Sequence, residues 1–276
     1  MTYALSDQVA TTILGPIRFR DAGPKDGPVA LMWPSLFSDG PTSWGAQLGV
    51  LHQLGWRTLL VDPPGTGRSP SARRPFTMED CARAALEILD ASHVDRAAIL
   101  GLSWGGFVGL RVALAEPERV SGLVLSNTSA RRAPLRLRGR DLVFSWLLRI
   151  GLPGGPGKLI ASGMLSAQSR RDNPELVANV VGTADGLDPK GLAVAVRSVL
   201  VSRTSVVDKL SALTVPTLVI GGAEDTALPS PHFTELADRI PGARLEVIPG
   251  AAHLAPSEAP EVVADLLRDF LPTLQP

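Results

Sequence analysis

The 276-residue chain has a single cysteine, Cys81. One thiol supports neither an intramolecular disulfide framework nor a cysteine-based metal cluster. No run approaches the ~20 apolar residues of a membrane span. Charge of one sign is not in excess either, since 27 Lys plus Arg balance 27 Asp plus Glu. Nucleic-acid-binding domains are usually basic, so neither a nucleic acid nor a membrane is expected as a partner. The N-terminus, Met1-Thr2-Tyr3-Ala4-Leu5-Ser6-Asp7-Gln8, has no basic segment followed by an apolar run. No signal peptide is expected, and a cytoplasmic location is the expectation. There is no internal repeat. H-E-x-x-H and paired-cysteine patterns are missing as well, so no metal is expected.

The chain is 45% hydrophobic and 20% charged, as an ordinary globular protein is. Its length suggests one or two domains and suffices for a full core. Short apolar runs at 29–33, 58–62, 97–102, 123–126, 217–221 and 245–248 are bounded by Gly and Pro. Such runs fit strands buried on both faces of a parallel sheet. Helical patterns alternate with them near 44–54, 77–91, 104–115, 232–240 and 258–271. The alternation predicts an α/β sandwich with right-handed crossovers.

Between 130 and 209 the alternation stops. Helical pieces near 139–150, 174–182, 189–201 and 204–212 are separated by Gly/Pro-rich turns such as Gly151-Leu152-Pro153-Gly154-Gly155-Pro156-Gly157. This segment reads as a helical insertion (130–209) between two parts of one core (1–129 and 210–276). It carries 13 basic and 6 acidic residues, net +7, and the remainder is net −7.

Gly101-Leu102-Ser103-Trp104-Gly105 matches G-x-S-x-G and lies between a predicted strand and a predicted helix. In that context a sharp turn pushes the serine out at the sheet edge, and the helix N-terminus offers free N–H groups to developing negative charge. A serine hydroxyl needs a base. His52, His93 and His232 read as surface or capping residues. His253 lies in a loop after the last predicted strand, where chemistry is often carried. Asp225 follows the strand at 217–221 and can orient the base, with adjacent Glu224 pointing elsewhere. Asn127 occupies another position where an acid could stand, and a neutral amide there favours Asp225.

The order Ser103, Asp225, His253 and the motifs around it make the chain resemble the α/β-hydrolase-fold enzymes over nearly its whole length. Asp62-Pro63-Pro64-Gly65-Thr66-Gly67-Arg68-Ser69 is similar to the family's D-x-x-G-x-G-x-S turn, and His253 with Glu258 and Pro260 resembles its H-x-x-x-x-E-x-P ending. The stretches 100–106, 117–120 and 124–128 look most like 3-oxoadipate enol-lactonases and related esterases. The resemblance implies a mostly parallel twisted sheet flanked by helices, with an inserted helical cap. It also implies a Ser-His-Asp triad acting without a cofactor on a small-molecule ester or lactone through an acyl-enzyme. Pro34-Ser35 stands where the family usually has His-Gly. By this alignment the backbone N–H groups of Leu36 and Trp104 form the oxyanion hole.

The cap position implies that 130–209 shapes the substrate site. Arg131, Arg132, Arg136, Arg138 and Arg140 could grip a carboxylate, or form a solvated cationic face. Phe144 and Trp146 supply apolar cap surface. Trp33, Ser35, Phe37 and Leu254 are the expected core-side contacts of the substrate. The same triad could instead serve C–C bond hydrolysis or perhydrolysis of the haloperoxidase type. A non-catalytic ligand-binding protein on the same fold is the alternative from another class.

Overall fold

Val29-Ala30-Leu31-Met32-Trp33 is apolar at every position, and all five residues are buried in the computed structural model. The structure describes residues 3–72, 74–152 and 154–274. Met1 and Thr2 of the N-terminal stretch and Pro153 of the Gly/Pro-rich turn lie outside the described residues. Eight strands form one sheet: β1 (Ser6–Thr12), β2 (Gly15–Ala22), β3 (Val29–Trp33), β4 (Arg57–Asp62), β5 (Ala97–Leu102), β6 (Val120–Ser126), β7 (Thr217–Gly222) and β8 (Arg244–Ile248). Their order is β1-β2-β4-β3-β5-β6-β7-β8. β3 to β8 run parallel, and β1 and β2 join antiparallel at one edge.

β3, β5, β6 and β7 are buried at every residue, as continuous apolar runs between two helical layers require. The edge hairpin β1–β2 was not anticipated. β1 is exposed at five of its seven positions and has no apolar run. Helices Met78–Ala91, Trp104–Ala115, Pro231–Arg239 and Pro260–Phe270 pack around the sheet. The first starts at a capping box between Thr77 and Asp80. The single helix expected at 258–271 is interrupted at Ala259, whose extended φ of −132° suits a residue before proline.

Between β6 and β7 the chain forms helices Leu135–Ile150, Gly157–Met164, Ala167–Asp172, Pro174–Asp185 and Pro189–Val196, then a π-helical turn at Arg197–Val201. No strand occurs there among the described residues. The helices at 157–164 and 167–172 were not anticipated, and the 204–212 helix is reduced to a 3₁₀ segment, Val207–Ala212. Asn173 and Asp188 cap their helices, each followed by Pro at the first helical position. The Leu135–Ile150 helix buries Asp141, Ser145 and Leu148. Leu135, Leu142, Val143, Trp146 and Ile150 are left exposed on it.

Arg111 and Arg203 anchor this insertion to the core. Arg111, on the Trp104–Ala115 helix, donates to the Thr204 carbonyl and pairs with Glu79. The buried Arg203 guanidinium stacks 3.7 Å from the Phe107 ring centroid and donates to the carbonyls of Arg131 and Val199. Burial lowers its pKa, and the Arg111 charge adds to that effect.

Candidate active site

Ser103 directly follows β5, and the strand order reverses at this point, with β3 on one side and β6 on the other. Sites in open α/β sheets form beyond the carboxyl ends of strands at such a reversal. Ser103 has φ 53° and ψ −103°, a strained pair for a residue with a side chain. The turn is possible because its flanking positions are glycine. A Cβ on Gly101 would stand 2.3 Å from the Gly105 carbonyl, and one on Gly105 would stand 2.1 Å from the Trp33 carbonyl oxygen. The strain is held by Ser103 N–H donating to the Ser126 carbonyl and by Thr128 Oγ1–H donating to the Ser103 carbonyl.

Ser103 Oγ lies 2.9 Å from His253 Nε2, and His253 Nδ1 lies 2.8 Å from Asp225 Oδ2. All three side chains are buried. Burial alone would raise the Asp225 pKa. The charge and hydrogen bond of His253, with bonds from Asn127 and Leu228, outweigh it and hold the carboxyl below its ordinary value. Its second oxygen accepts the N–H groups of Ala227 and Leu228, each at 2.9 Å. Glu224 is exposed, as expected of the neighbour on a turning loop.

Asn127 is the functional candidate that sequence reasoning passed over. It adopts φ 46°, a region asparagine tolerates. Its Nδ2 donates to Asp225 Oδ2 at 3.0 Å and to the Ala252 carbonyl at 2.8 Å. Ser126 Oγ–H donates to its Oδ1 and so fixes the amide's orientation. One side chain therefore ties the acid loop after β7 to the histidine loop after β8. The only sequence signal was its place one residue beyond β6, level with the ends of β5 and β7.

Glu258 supports the same loop from the other side. Its carboxylate accepts the N–H groups of Ala252, Leu254 and Ser166 at 2.9, 3.2 and 2.7 Å. His253 N–H donates to the Met164 carbonyl. The histidine loop is thus joined to the insertion at residues 164 and 166.

The backbone N–H groups of Trp104, next to Ser103 in sequence, and of Leu36, two residues beyond Pro34, have no protein acceptor among the described residues. Their neighbours are engaged. Ser35 N–H donates to Ser43 Oγ, Gly105 N–H to the Pro34 carbonyl and Gly106 N–H to the Ser103 carbonyl. Pro34 has no N–H, and its carbonyl bonds the β3 loop to the serine turn. Phe37 follows Leu36 at φ 68° and meets Phe144 of the insertion edge-on, with ring centroids 6.0 Å apart. Leu254, beside His253, is buried.

Four expected substrate contacts are elsewhere. Trp33 ends β3 and is completely buried, packed edge-on against Trp104 beneath the serine turn. It is a core residue because its strand is covered on both faces. Trp146 is 59% exposed, on the helix side opposite Asp141 and Ser145. Arg131 pairs through two nitrogens with Glu235 at the surface, and Arg132 is exposed. Their charges are held by a carboxylate or by water, where desolvation is least costly. His52, expected at the surface, is buried and bonded to Thr58 Oγ1.

A sequence profile of the alpha/beta hydrolase fold family matches residues 38–260. The chain is 30% identical over 257 residues to the protein of Variovorax paradoxus named "Putative carbamate hydrolase RutD", covering 93% of this chain and 96% of that one. Among solved structures, a thermophilic esterase from Thermogutta terrifontis superposes with a TM-score of 0.89 at 28% identity, covering 97% and 98% of the two chains. The enol-lactonase from Burkholderia xenovorans LB400 superposes at 0.88 and 24% identity, over 96% and 100%, a likeness of fold. The protein belongs to the alpha/beta hydrolase fold family.

Proposed function

We propose that this hydrolase cleaves a carboxylic ester or lactone through an acyl-enzyme on Ser103. The observation that carries the proposal is the continuous chain from Ser103 Oγ through His253 to Asp225. Ser103 Oγ attacks the carbonyl carbon while His253 Nε2 takes its proton. The carbonyl π electrons move to oxygen, and the resulting oxyanion accepts from the Leu36 and Trp104 N–H groups. The C–O bond to the leaving group then breaks, and His253 returns the proton to the departing alkoxide. Water, deprotonated by His253, repeats the sequence on the acyl-enzyme and frees the acid and Ser103. Asp225 stays ionised throughout and stabilises the imidazolium.

Phe37, Phe144 and Leu254 supply apolar walls for the acyl group. With Arg131 engaged by Glu235, this reading favours an uncharged acyl group over an acidic one. A second reading, carbamate hydrolysis on the same residues, is favoured by the name of the Variovorax relative. A fluorophosphonate probe tests the nucleophile: it should label the wild type and leave Ser103→Ala unlabelled. A folded wild type that neither takes the label nor turns over p-nitrophenyl esters removes the proposal. Comparing kcat/KM on p-nitrophenyl acetate with release of ammonia from simple carbamates separates the two readings.

A further inference from the structure

The Leu135–Ile150 helix is built inside out. Of its three buried residues, Asp141 and Ser145 are polar. Leu135, Leu142, Val143, Trp146 and Ile150 are between 44% and 80% exposed. At 3.6 residues per turn these five positions share one side, along roughly 22 Å of helix. Isolated exposed apolar residues need no explanation, whereas a continuous stripe marks an interaction surface.

Exposed Arg132, Arg136 and Arg149 flank the stripe, and none has a carboxylate within ion-pair reach among the described residues. Trp146 lies within it, and the other four tryptophans are buried. Apolar side chains along one face, a tryptophan among them and arginines beside them suit a helix lying in the headgroup region of a bilayer. The whole-molecule charge agrees. The insertion is net +7 and the remainder net −7, so an anionic surface attracts the insertion and turns the core away. A second copy fits less well, because a self-complementary contact would set this cationic face against itself.

We propose that this helix is a docking surface for an anionic lipid bilayer, bound peripherally through the stripe and its arginines. The sequence-based expectation of no membrane partner rested on the lack of a spanning run. Indeed no helix among the described residues is long and apolar enough to cross a membrane. Lying in the interface is a different mode that needs no such run.

The test is co-sedimentation of the full chain with vesicles of phosphatidylcholine alone or mixed equally with phosphatidylglycerol. The protein should pellet with the mixed vesicles at low salt, stay in solution with the neutral ones, and be released by high salt. Brominated lipid should quench tryptophan fluorescence, reporting on Trp146. Leu142→Glu and Ile150→Glu, both at exposed positions, should weaken the partition at least roughly tenfold each and leave turnover of a soluble ester unchanged. Several outcomes overturn the proposal. They are no pelleting with anionic vesicles, pelleting that these variants do not weaken, or pelleting without quenching. A concentration-dependent dimer that these variants dissolve, with no vesicle binding, assigns the face to a second copy instead.

Discussion

Asn127 Nδ2 and His253 Nδ1 converge on the same oxygen of Asp225, at 3.0 and 2.8 Å. The amide therefore fixes the carboxylate plane that orients the imidazole. Asn127→Asp keeps the shape and tolerates φ 46°, but replaces the donor with a second carboxylate. We expect kcat to fall by about tenfold or more, as when an outer positioning group is lost, and the melting temperature to fall as well, because the buried carboxylate would face two acceptors, Asp225 Oδ2 and the Ala252 carbonyl. Ester turnover with calorimetry on the same preparation checks this, and full activity would remove Asn127 from the site.

Asp225→Asn should cost far more, roughly 10⁴ in kcat, because the imidazole loses its orienting acceptor and its charge partner. Fluorophosphonate labelling of Ser103 should slow in parallel. Equal labelling rates in the variant and wild type would show that the acid does not act through His253.

Glu258→Ala would leave the N–H groups of Ala252, Leu254 and Ser166 unpaired. The expected loss is on the order of 2–3 kcal/mol, or about 4–12 °C in melting temperature for a domain of this size. Glu258→Gln keeps an acceptor oxygen and should recover part of it. A scanning-calorimetry series of the three proteins provides the measurement.

Gly105→Ala meets a backbone carbonyl, which no rotamer change can move aside. The variant should fold poorly or lose the serine turn, seen as loss of soluble expression or of fluorophosphonate labelling. A Gly139→Ala control, at a position open to solvent in a helix, should be neutral or slightly stabilising.

His232 gives a pH signature. Its Nδ1 lies 3.0 Å from Ser129 Oγ, which also accepts the Arg131 N–H. Burial, followed by the charges of Arg203 and Arg131, holds its pKa below the ordinary 6.5. As pH falls through 6.5 the unfolded chain binds a proton that the folded chain does not, so stability is lost on acidification and retained above that point. Urea unfolding at about pH 7.5 and about pH 5.5 should show a smaller drop in His232→Gln than in the wild type.

Strands β3, β5, β6 and β7 were legible because burial on two faces demands uninterrupted apolar residues, and Ser103 and Asp225 because each stands just past such a run, whereas His253 was placed by its loop after β8. β1 was not, since an edge strand facing water carries Ser6, Asp7 and Gln8. Trp33 and Trp146 were both read as pocket walls, yet one is in the core and one in solvent. Composition says that a tryptophan is large and apolar; only the path of the chain says which way it faces. Asn127 depends on a partner 98 residues away and on a backbone angle that no local pattern encodes. The charge split was readable from counts, but its use was not. Arg131 answers Glu235, whereas Arg132 and Arg136 are turned outward.

The bonds from Met164 and Ser166 to the histidine loop limit how substrate can reach Ser103. A lid lifting as one rigid piece would drag the base off its nucleophile at each opening. Met164 and Ser166 are thus a fixed corner at which the insertion and the histidine loop share hydrogen bonds.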